Sequence, residues 1–444
     1  MIFLLVIVSA VYIFISTKIA NNILASPTFI SGLTVFVGSI IYVVQLNRIS
    51  NDISIQTVLL FFGAFFFVFL GEATGRVIIP FHISTHKNNL DLQYMFVSSF
   101  STIVSFFFLI ITAALRFNDM RLFTSGSWNI IEIIARMRPY VTNGMYDVPT
   151  YILYMTRIGE IICFIYEYIF VYNLVNHKKA DKLYFLPIFG YFLVVLTFTS
   201  RTDFLKIFVG FLASYVFCIY RKGTVVKIAS KKMVKLLAGA VLLAVAFFAF
   251  GYVRASNGEN EIYDFNIFNS IFKYSGAAIY GLDAQLSSNT YIEDAKYIGY
   301  WTCQRIYDFF RIKRNMIPVY HLPPYTYAPG QVSNIYTSLV LPLKDFGLIG
   351  LLISRYLISL AMVWILRVVK NVRNHSLINF MCIFLFINLY CSFLFFSLAD
   401  KFKDVFLDPN ALLRYTLVTY IVAKYILRIK YKKRIEKAET VYDI

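Results

Sequence analysis

Charged residues are scarce in this chain. Asp, Glu, Lys and Arg together make up 15% of the 444 residues, whereas apolar residues make up 59%. Soluble domains carry about 25% charged residues, so the shortage excludes an ordinary soluble fold. Apolar runs recur that approach the roughly 20 residues a helix needs to cross a bilayer. The composition therefore predicts an all-α, polytopic integral membrane protein.

Acidic residues are the scarcer of the two signs. The chain has 24 acidic and 42 basic residues, and its formal net charge is +18. In a soluble protein this excess would suggest nucleic acid. Here the basic residues cluster in short loops and in the tail, as the positive-inside rule predicts, and we expect no nucleic-acid partner. The first apolar run lacks a basic leader and a cleavage site, which favours a retained helix over a signal peptide.

Motifs for nucleotides and metals are also missing. The chain has neither a Walker lysine loop nor a dinucleotide glycine pattern, and we expect no cofactor. His82 and His86 stand four residues apart without the carboxylate of a zinc-type motif, so we predict no metal site. Of the five cysteines only Cys303 falls outside the apolar spans, which argues against a stapling disulfide.

Hydropathy predicts about eleven transmembrane helices, within a range of ten to twelve. The predicted spans are 2–17, 28–46, 57–71, 95–115, 150–175, 183–199, 203–220, 234–252, 346–369, 376–398 and 409–428. Basic loops at 176–182, 221–235, 367–375 and 424–437 then fall on one side of the membrane. Their Lys and Arg content predicts that this side is cytoplasmic, which places the N-terminus outside.

The spans divide the chain into four regions. Residues 1–252 carry helices one to eight, 253–345 form a large outer loop, 346–430 carry the last three helices, and 431–444 form a basic cytoplasmic tail. The loop is too long for a simple connector. Apolar residues at helical spacing in 263–280 predict an amphipathic helix at the membrane surface.

Charged residues inside or at the ends of apolar spans are the informative ones, because they usually face a cavity or a partner. Arg201 and Asp203 lie together in the outer turn "SRTD", Arg355 lies deep in the ninth predicted span, and Arg414 lies near the start of the last. Two interpretations stay open for these charges. They pair with one another and stabilise the bundle, or they bind an anion.

Arginine and tyrosine together suggest a particular anion. The planar guanidinium donates two parallel hydrogen bonds, which suits phosphate, so several arginines at the outer face suggest a lipid-linked diphosphate. The outer loop carries eleven tyrosines, whose rings suit sugars but equally mark a membrane interface. In the fifth helix, Arg157 can instead pair with Glu160 three residues later.

These features resemble a known family. The "SR" turn after an apolar helix, the large outer loop and the stretch "NIYTSLVLPLKDFGLIGLLI" (334–353) together resemble the O-antigen polymerase (Wzy-type) family of oligosaccharide repeat unit polymerases. That stretch is similar to the family's Asn/Tyr/Thr pattern followed by Asp-Phe-Gly-x-x-Gly at the start of a span. The resemblance covers most of the layout but only two short stretches of residues. O-antigen ligases share this layout and a similar arginine turn.

The resemblance implies a glycosyltransferase of the bacterial inner membrane. Such an enzyme moves a growing glycan from undecaprenyl diphosphate onto a lipid-linked repeat unit at the periplasmic face, without nucleotide or metal. Its implied partners are the undecaprenyl-diphosphate-linked oligosaccharide, membrane lipid, a chain-length regulator and a flippase. Arg201 would hold the diphosphate, Asp345 and Phe346 would help to form the site, and Gly347 and Gly350 would allow close helix approach.

Further site residues are our own hypotheses. Asp203 would orient Arg201 in the catalytic site, and His321, the only histidine of the large loop, would act as general base. Weaker candidates for the base are Asp283, Asp308 and Glu261. The expected substrate-binding residues are Arg254, Arg305, Arg311, Arg314, Arg355, Arg414, Tyr336 and Asp345.

Three other functions remain open from the sequence. A flippase for lipid-linked oligosaccharide would handle the same ligand, but we would expect two related halves and no large outer loop. An O-antigen ligase would differ only in its acceptor. An acyltransferase that decorates sugars would require histidines at a membrane-embedded site.

Overall fold

The architecture is an all-α bundle, seen in a computed structural model. The structure describes residues 1–20, 22–46, 52–78, 93–124, 128–130, 132–133, 136–137, 140, 146–197, 201–223, 276–287, 298–312, 325–328, 331–333, 335–371 and 377–433. Within these residues, seven helices are long and apolar enough to cross a membrane. By helix length and hydropathy the chain is a multi-pass membrane protein, which confirms the predicted class.

Fourteen α-helices and four short strands are described in this part of the chain. They are α1 (Ile2–Ile19), α2 (Pro27–Val44), α3 (Ile55–Ile78), β1 (Gln93–Phe96), α4 (Ser99–Thr124), α5 (Thr150–His177), α6 (Phe185–Leu196), α7 (Arg201–Arg221), α8 (Ala277–Ser287), α9 (Gln304–Phe309), β2 (Tyr325–Ala328), β3 (Gln331–Ser333), α10 (Val340–Asn371), α11 (Leu377–Leu394), α12 (Lys403–Phe406), α13 (Pro409–Leu413), α14 (Thr419–Ile421) and β4 (Lys430–Lys433). Two π-helical turns, Arg414–Val418 and Val422–Ile426, make α13 and α14 parts of one rod.

The helices occupy ten of the eleven predicted spans, and the span 234–252 lies outside the described residues. Local signals explain several of the ends. Ser26 caps α2 by accepting a hydrogen bond from the backbone N–H of Phe29, and proline follows at the first helical position. Asp408 caps α13 in the same way, with Pro409 next.

One end of the bundle collects the basic termini of several helices, and we call it the basic end. Here β1 and β4 pair antiparallel, and the side-chain amide of Asn173 exchanges two hydrogen bonds with the backbone of Met95. Arg367 donates to the carbonyl of Arg76 at 2.8 Å. The ends of α3 and α10 therefore lie together, and the end of α5 lies beside β1. We call the opposite end the loop end.

The helices α3 and α10 pack closely against each other. A Cβ at Gly71 would lie 2.3 Å from the carbonyl oxygen of Tyr356, and one at Gly75 would lie 2.9 Å from Val363. Small residues of this kind allow two backbones to touch. The prediction that Gly347 serves such an approach was wrong, because a Cβ built there would meet open space.

The start of α10 folds back on itself. Gly347 has φ 65° and ψ −169° and breaks the helix. Arg355 nonetheless contacts Ser338, which lies 17 residues earlier, whereas 17 residues of straight helix span about 25 Å. Residues 335–346, which we call the fold-back segment, therefore return into the bundle. Gly350 faces Phe346 across this bend rather than a neighbouring helix.

Helix α4 is longer than predicted. The sequence suggested a loop from residue 116, but the helix continues to Thr124. Its last turns pack through Phe117 and Met120 on residues that follow, including Ile133 and Met137. This small satellite core stabilises the extension. The guanidinium of Arg121 packs on the ring of Trp128, with Cζ 4.0 Å from the ring centroid.

Candidate functional site

Several predicted site residues cannot be placed. His321, Arg254 and Arg314 lie outside the described residues, as does Glu261 among the weaker base candidates. The backbone of Arg201 and Asp203 forms the first turn of α7 rather than a loop, and their side chains are outside the described part of the structure. Arg305 and Arg311 are exposed on or beside α9, where Arg311 has a left-handed φ of 53°.

One group of charged residues lies towards the loop end, between α5, α7 and the last helical rod. We call it the arginine cluster: Arg157, Glu160, Lys206, Arg414 and Tyr415. The carboxylate oxygen Oε1 of Glu160 accepts a hydrogen bond from Tyr415 Oη at 2.8 Å. The same oxygen lies 3.8 Å from Lys206 Nζ. Glu160 therefore links three separate elements.

The expected pair between Arg157 and Glu160 does not form within the described residues. Arg157 Cζ instead lies 5.9 Å from the ring centroid of Tyr154. The reason is competition across helices, because Tyr415 and Lys206 occupy the Glu160 carboxylate.

Arg414 carries an unsatisfied donor. Its Cζ lies 4.8 Å from the ring centroid of Tyr415, and its Nε is buried with no hydrogen-bond partner in the described part of the chain. Glu160 and Asp408 are within electrostatic reach, but neither forms a salt bridge with it among the described residues. The guanidinium therefore packs on an aromatic ring, and its Nε has no acceptor among the described residues.

Positive charge exceeds negative charge around this cluster. Arg157 interacts electrostatically with Arg414, Arg305 and Asp408. Counting these with Lys206 and Glu160 gives four cations against two carboxylates, a surplus of two positive charges. Repulsion among close arginines is costly unless an anion or solvent compensates it. The arrangement is suited to a group with two or more negative charges, such as a diphosphate.

Asp345 belongs to a second group, on the fold-back segment. Its carboxylate accepts from the backbone N–H of Trp301 at 2.9 Å, and from both the N–H and the hydroxyl of Thr302 at 2.6 Å. Both oxygens are thus engaged in holding the turn before α9. We assign Asp345 the role of positioning this turn. Its predicted role in binding substrate stays a prediction.

Tyr336 is packed inside the loop end rather than lining an open cleft. Its ring centroid lies 4.9 Å from that of Tyr325, whose hydroxyl lies 2.5 Å from the carbonyl oxygen of Ala277 and 2.7 Å from that of Ile335. Burial raises the pKa of Tyr336 to about 12. Asp283 plays a related structural part, because its Oδ1 accepts from Ser54 and Thr57 at the start of α3.

Arg355 lies in the interior beneath the fold-back segment and is 4% exposed. Its Nη1 and Nη2 make long hydrogen bonds of 3.4 and 3.3 Å to Ser338 Oγ and O. Asp400 is within electrostatic reach but forms no salt bridge with it in the described residues. Burial raises the pKa of Asp400, against the opposing effect of Arg355 and Lys403. Nothing in the described residues joins Arg355 to the arginine cluster, although Arg355 and Arg414 were both predicted to bind the substrate.

Sequence reasoning missed two members of the arginine cluster. Lys206 is a lone lysine in an otherwise apolar stretch, and that isolation was a usable signal. Tyr415 gave no comparable signal, because its role depends on Glu160 from a distant helix.

Comparison with known proteins adds no family. No protein-family model, no curated protein and no solved structure matches this chain.

Proposed function

We propose that this protein is a glycosyltransferase that joins lipid-diphosphate-linked oligosaccharide repeat units into a surface polysaccharide such as O-antigen. The observation that carries the proposal is the surplus of positive charge in the arginine cluster, with an unpaired donor on Arg414. The resemblance of the "SR" turn and the "DFG" stretch to O-antigen polymerases also supports this proposed function. The donor would be an undecaprenyl-diphosphate-linked glycan.

The chemistry follows from the leaving group. An acceptor hydroxyl attacks the anomeric carbon of the growing glycan, the carbon–oxygen bond to the diphosphate breaks, and the bonding electrons stay on the diphosphate. Arg157 and Arg414 would stabilise the negative charge that develops there, because fixed cations cost no reorganisation at that moment. A base takes the hydroxyl proton, and His321 remains our candidate. Glu160 would position Lys206 and Tyr415.

The proposal includes a membrane arrangement. Eleven helices would cross a bacterial inner membrane, with the basic end in the cytoplasm and the loop end in the periplasm. The four basic loops support this orientation. The arginine cluster would then meet the outer leaflet, where the lipid diphosphate lies. A chain-length regulator and a flippase would be its partners.

Gene deletion and complementation test the proposal. The lipopolysaccharide ladder of the deletion strain should collapse to core plus one repeat unit. Arg414→Ala should fail to restore the ladder, and Arg414→Lys should be nearly as poor, since lysine lacks the planar fork. Arg136→Ala is the matched control, because Arg136 is half exposed and, within the described residues, forms a salt bridge with Glu132 four residues earlier. Bare core without any repeat would refute a polymerase.

One observation favours a transporter as the second candidate. Glu167 is fully buried in α5, its Oε1 accepts only from Cys163 Sγ at 3.3 Å, and its Oε2 has no partner in the described part of the chain. Acidic residues inside transporters often carry protons. Complementation with Glu167→Gln separates the candidates: an intact ladder argues against proton-coupled transport, whereas bare core supports it.

A further inference from the structure

Arg355 is a buried cation without adequate partners. Its side chain is 4% exposed, its Nε has no hydrogen-bond partner in the described residues, and its two bonds to Ser338 are long. Burying a guanidinium without full hydrogen bonding is costly. A group that costs this much and is not satisfied by the surrounding protein points to a ligand.

Thr337 is a second unsatisfied group beside the first. It is 1% exposed, and its hydroxyl has no partner among the described residues. It precedes Ser338, the residue that contacts Arg355, so the Thr337 hydroxyl belongs to the part of the fold-back segment that lies on Arg355. Two neighbouring orphan donors are rare in a packed interior, where most polar groups are paired.

The local charges favour an anion with two oxygens. Asp345 is engaged by the turn at Trp301 and Thr302, and Asp400 is shared between Arg355 and Lys403. The guanidinium of Arg355 therefore has no salt-bridged carboxylate among the described residues. A carboxylate matches a guanidinium fork through two parallel hydrogen bonds, and the ring of Phe396, 5.9 Å from Arg355 Cζ, adds an apolar wall that suits a sugar.

We propose that Arg355 and Thr337 form a binding site for the carboxylate of an acidic sugar, a hexuronate, within the glycan substrate. This inference rests on the proposed function and adds the substrate class. The carboxylate displaces Ser338 from Arg355, and the bend at Gly347 lets the fold-back segment move aside. The site is separate from the arginine cluster, which takes the diphosphate.

Binding to the purified full-length protein tests the inference by calorimetry. The probes are glucuronate, glucose as the uncharged control, and a short-chain prenyl diphosphate. We expect saturable binding of glucuronate but not of glucose. Arg355→Ala should weaken glucuronate binding by about tenfold or more, the usual effect of losing a charge-assisted hydrogen bond, and should leave prenyl diphosphate binding unchanged. Arg414→Ala should show the reverse pattern.

Thr337→Val provides a second test of the site in case Arg355→Ala does not fold. The two side chains have nearly the same shape, so the variant should fold, and loss of an orphan hydroxyl should raise its melting temperature. Glucuronate binding should still fall several-fold. Equal glucuronate affinity in wild type and Thr337→Val overturns the site, as does prenyl diphosphate binding that depends on Arg355. Equal prenyl diphosphate affinity in wild type and Arg414→Ala would instead contradict the proposed function.

Discussion

Replacing Gly71 by alanine should separate α3 from α10. The new Cβ would lie 2.3 Å from the carbonyl oxygen of Tyr356 and 3.0 Å from Ser359 Cβ. A backbone oxygen cannot rotate away, so the helices must move apart by about 1 Å. Overpacking costs about 1–3 kcal/mol, and alanine in a helix recovers about 1 kcal/mol relative to glycine. We take the upper range and expect a net loss of about 2 kcal/mol.

Thiol exposure provides the assay. A fluorogenic maleimide should report unfolding of the detergent-solubilised protein through its buried free cysteines, Cys163, Cys218, Cys382 and Cys391. Gly71→Ala should lower the melting temperature by about 4 °C, at about 2 °C per kcal/mol.

Gly63→Ala is the matched control on the same helix. A Cβ there would meet only the end of the Leu352 side chain at 3.3 Å, which can shift, so its melting temperature should stay equal or rise. If Gly71→Ala is as stable as wild type, or if both variants lose the same stability, the close contact of α3 with α10 is wrong.

Three further predictions concern single contacts. Asp283→Ala should cost about 1–2 kcal/mol in the same thermal assay, because it removes the carboxylate that accepts from Ser54 and Thr57 at the start of α3. Burial raises the pKa of the Cys303 thiol, and the charge of Asp345 adds to the rise. The rate of Cys303 alkylation should therefore keep increasing at a pH where that of an ordinary cysteine has levelled off. Asp345→Asn should lower the apparent pKa of Cys303 in this assay. Tyr415→Phe should cost about 1–3 kcal/mol by leaving the Glu160 carboxylate without its donor, and should weaken complementation of the ladder.

The helices were predictable because a bilayer demands long apolar runs. Hydropathy locates such runs within a few residues, as it did for α1 and α5. The bend at Gly347 was not predictable in this way, because hydropathy placed the start of a span at residue 346 and does not describe the path of the loop residues before it. Only the contact of Arg355 with Ser338 shows that the chain turns back.

The site was predictable only one residue at a time. A charge in an apolar span is a strong signal, and it pointed to Arg355 and Arg414. Pairing is decided by packing between helices, which local spacing does not describe. The i, i+3 rule therefore joined Arg157 to Glu160, although Glu160 binds groups on two other elements.

On the proposed function, the arginine cluster and Arg355 would bind one extended substrate. Asp400 interacts with Arg355, and Asp408, eight residues later, interacts with Arg157 and Arg414. Eight residues of extended chain span at most about 29 Å, and α12 lies between them and shortens this distance. A lipid-linked oligosaccharide of several sugars could therefore place its diphosphate on the arginine cluster and an acidic sugar on Arg355. Separate sites for the constant diphosphate and the variable glycan would let the chemistry stay fixed while sugar specificity changes.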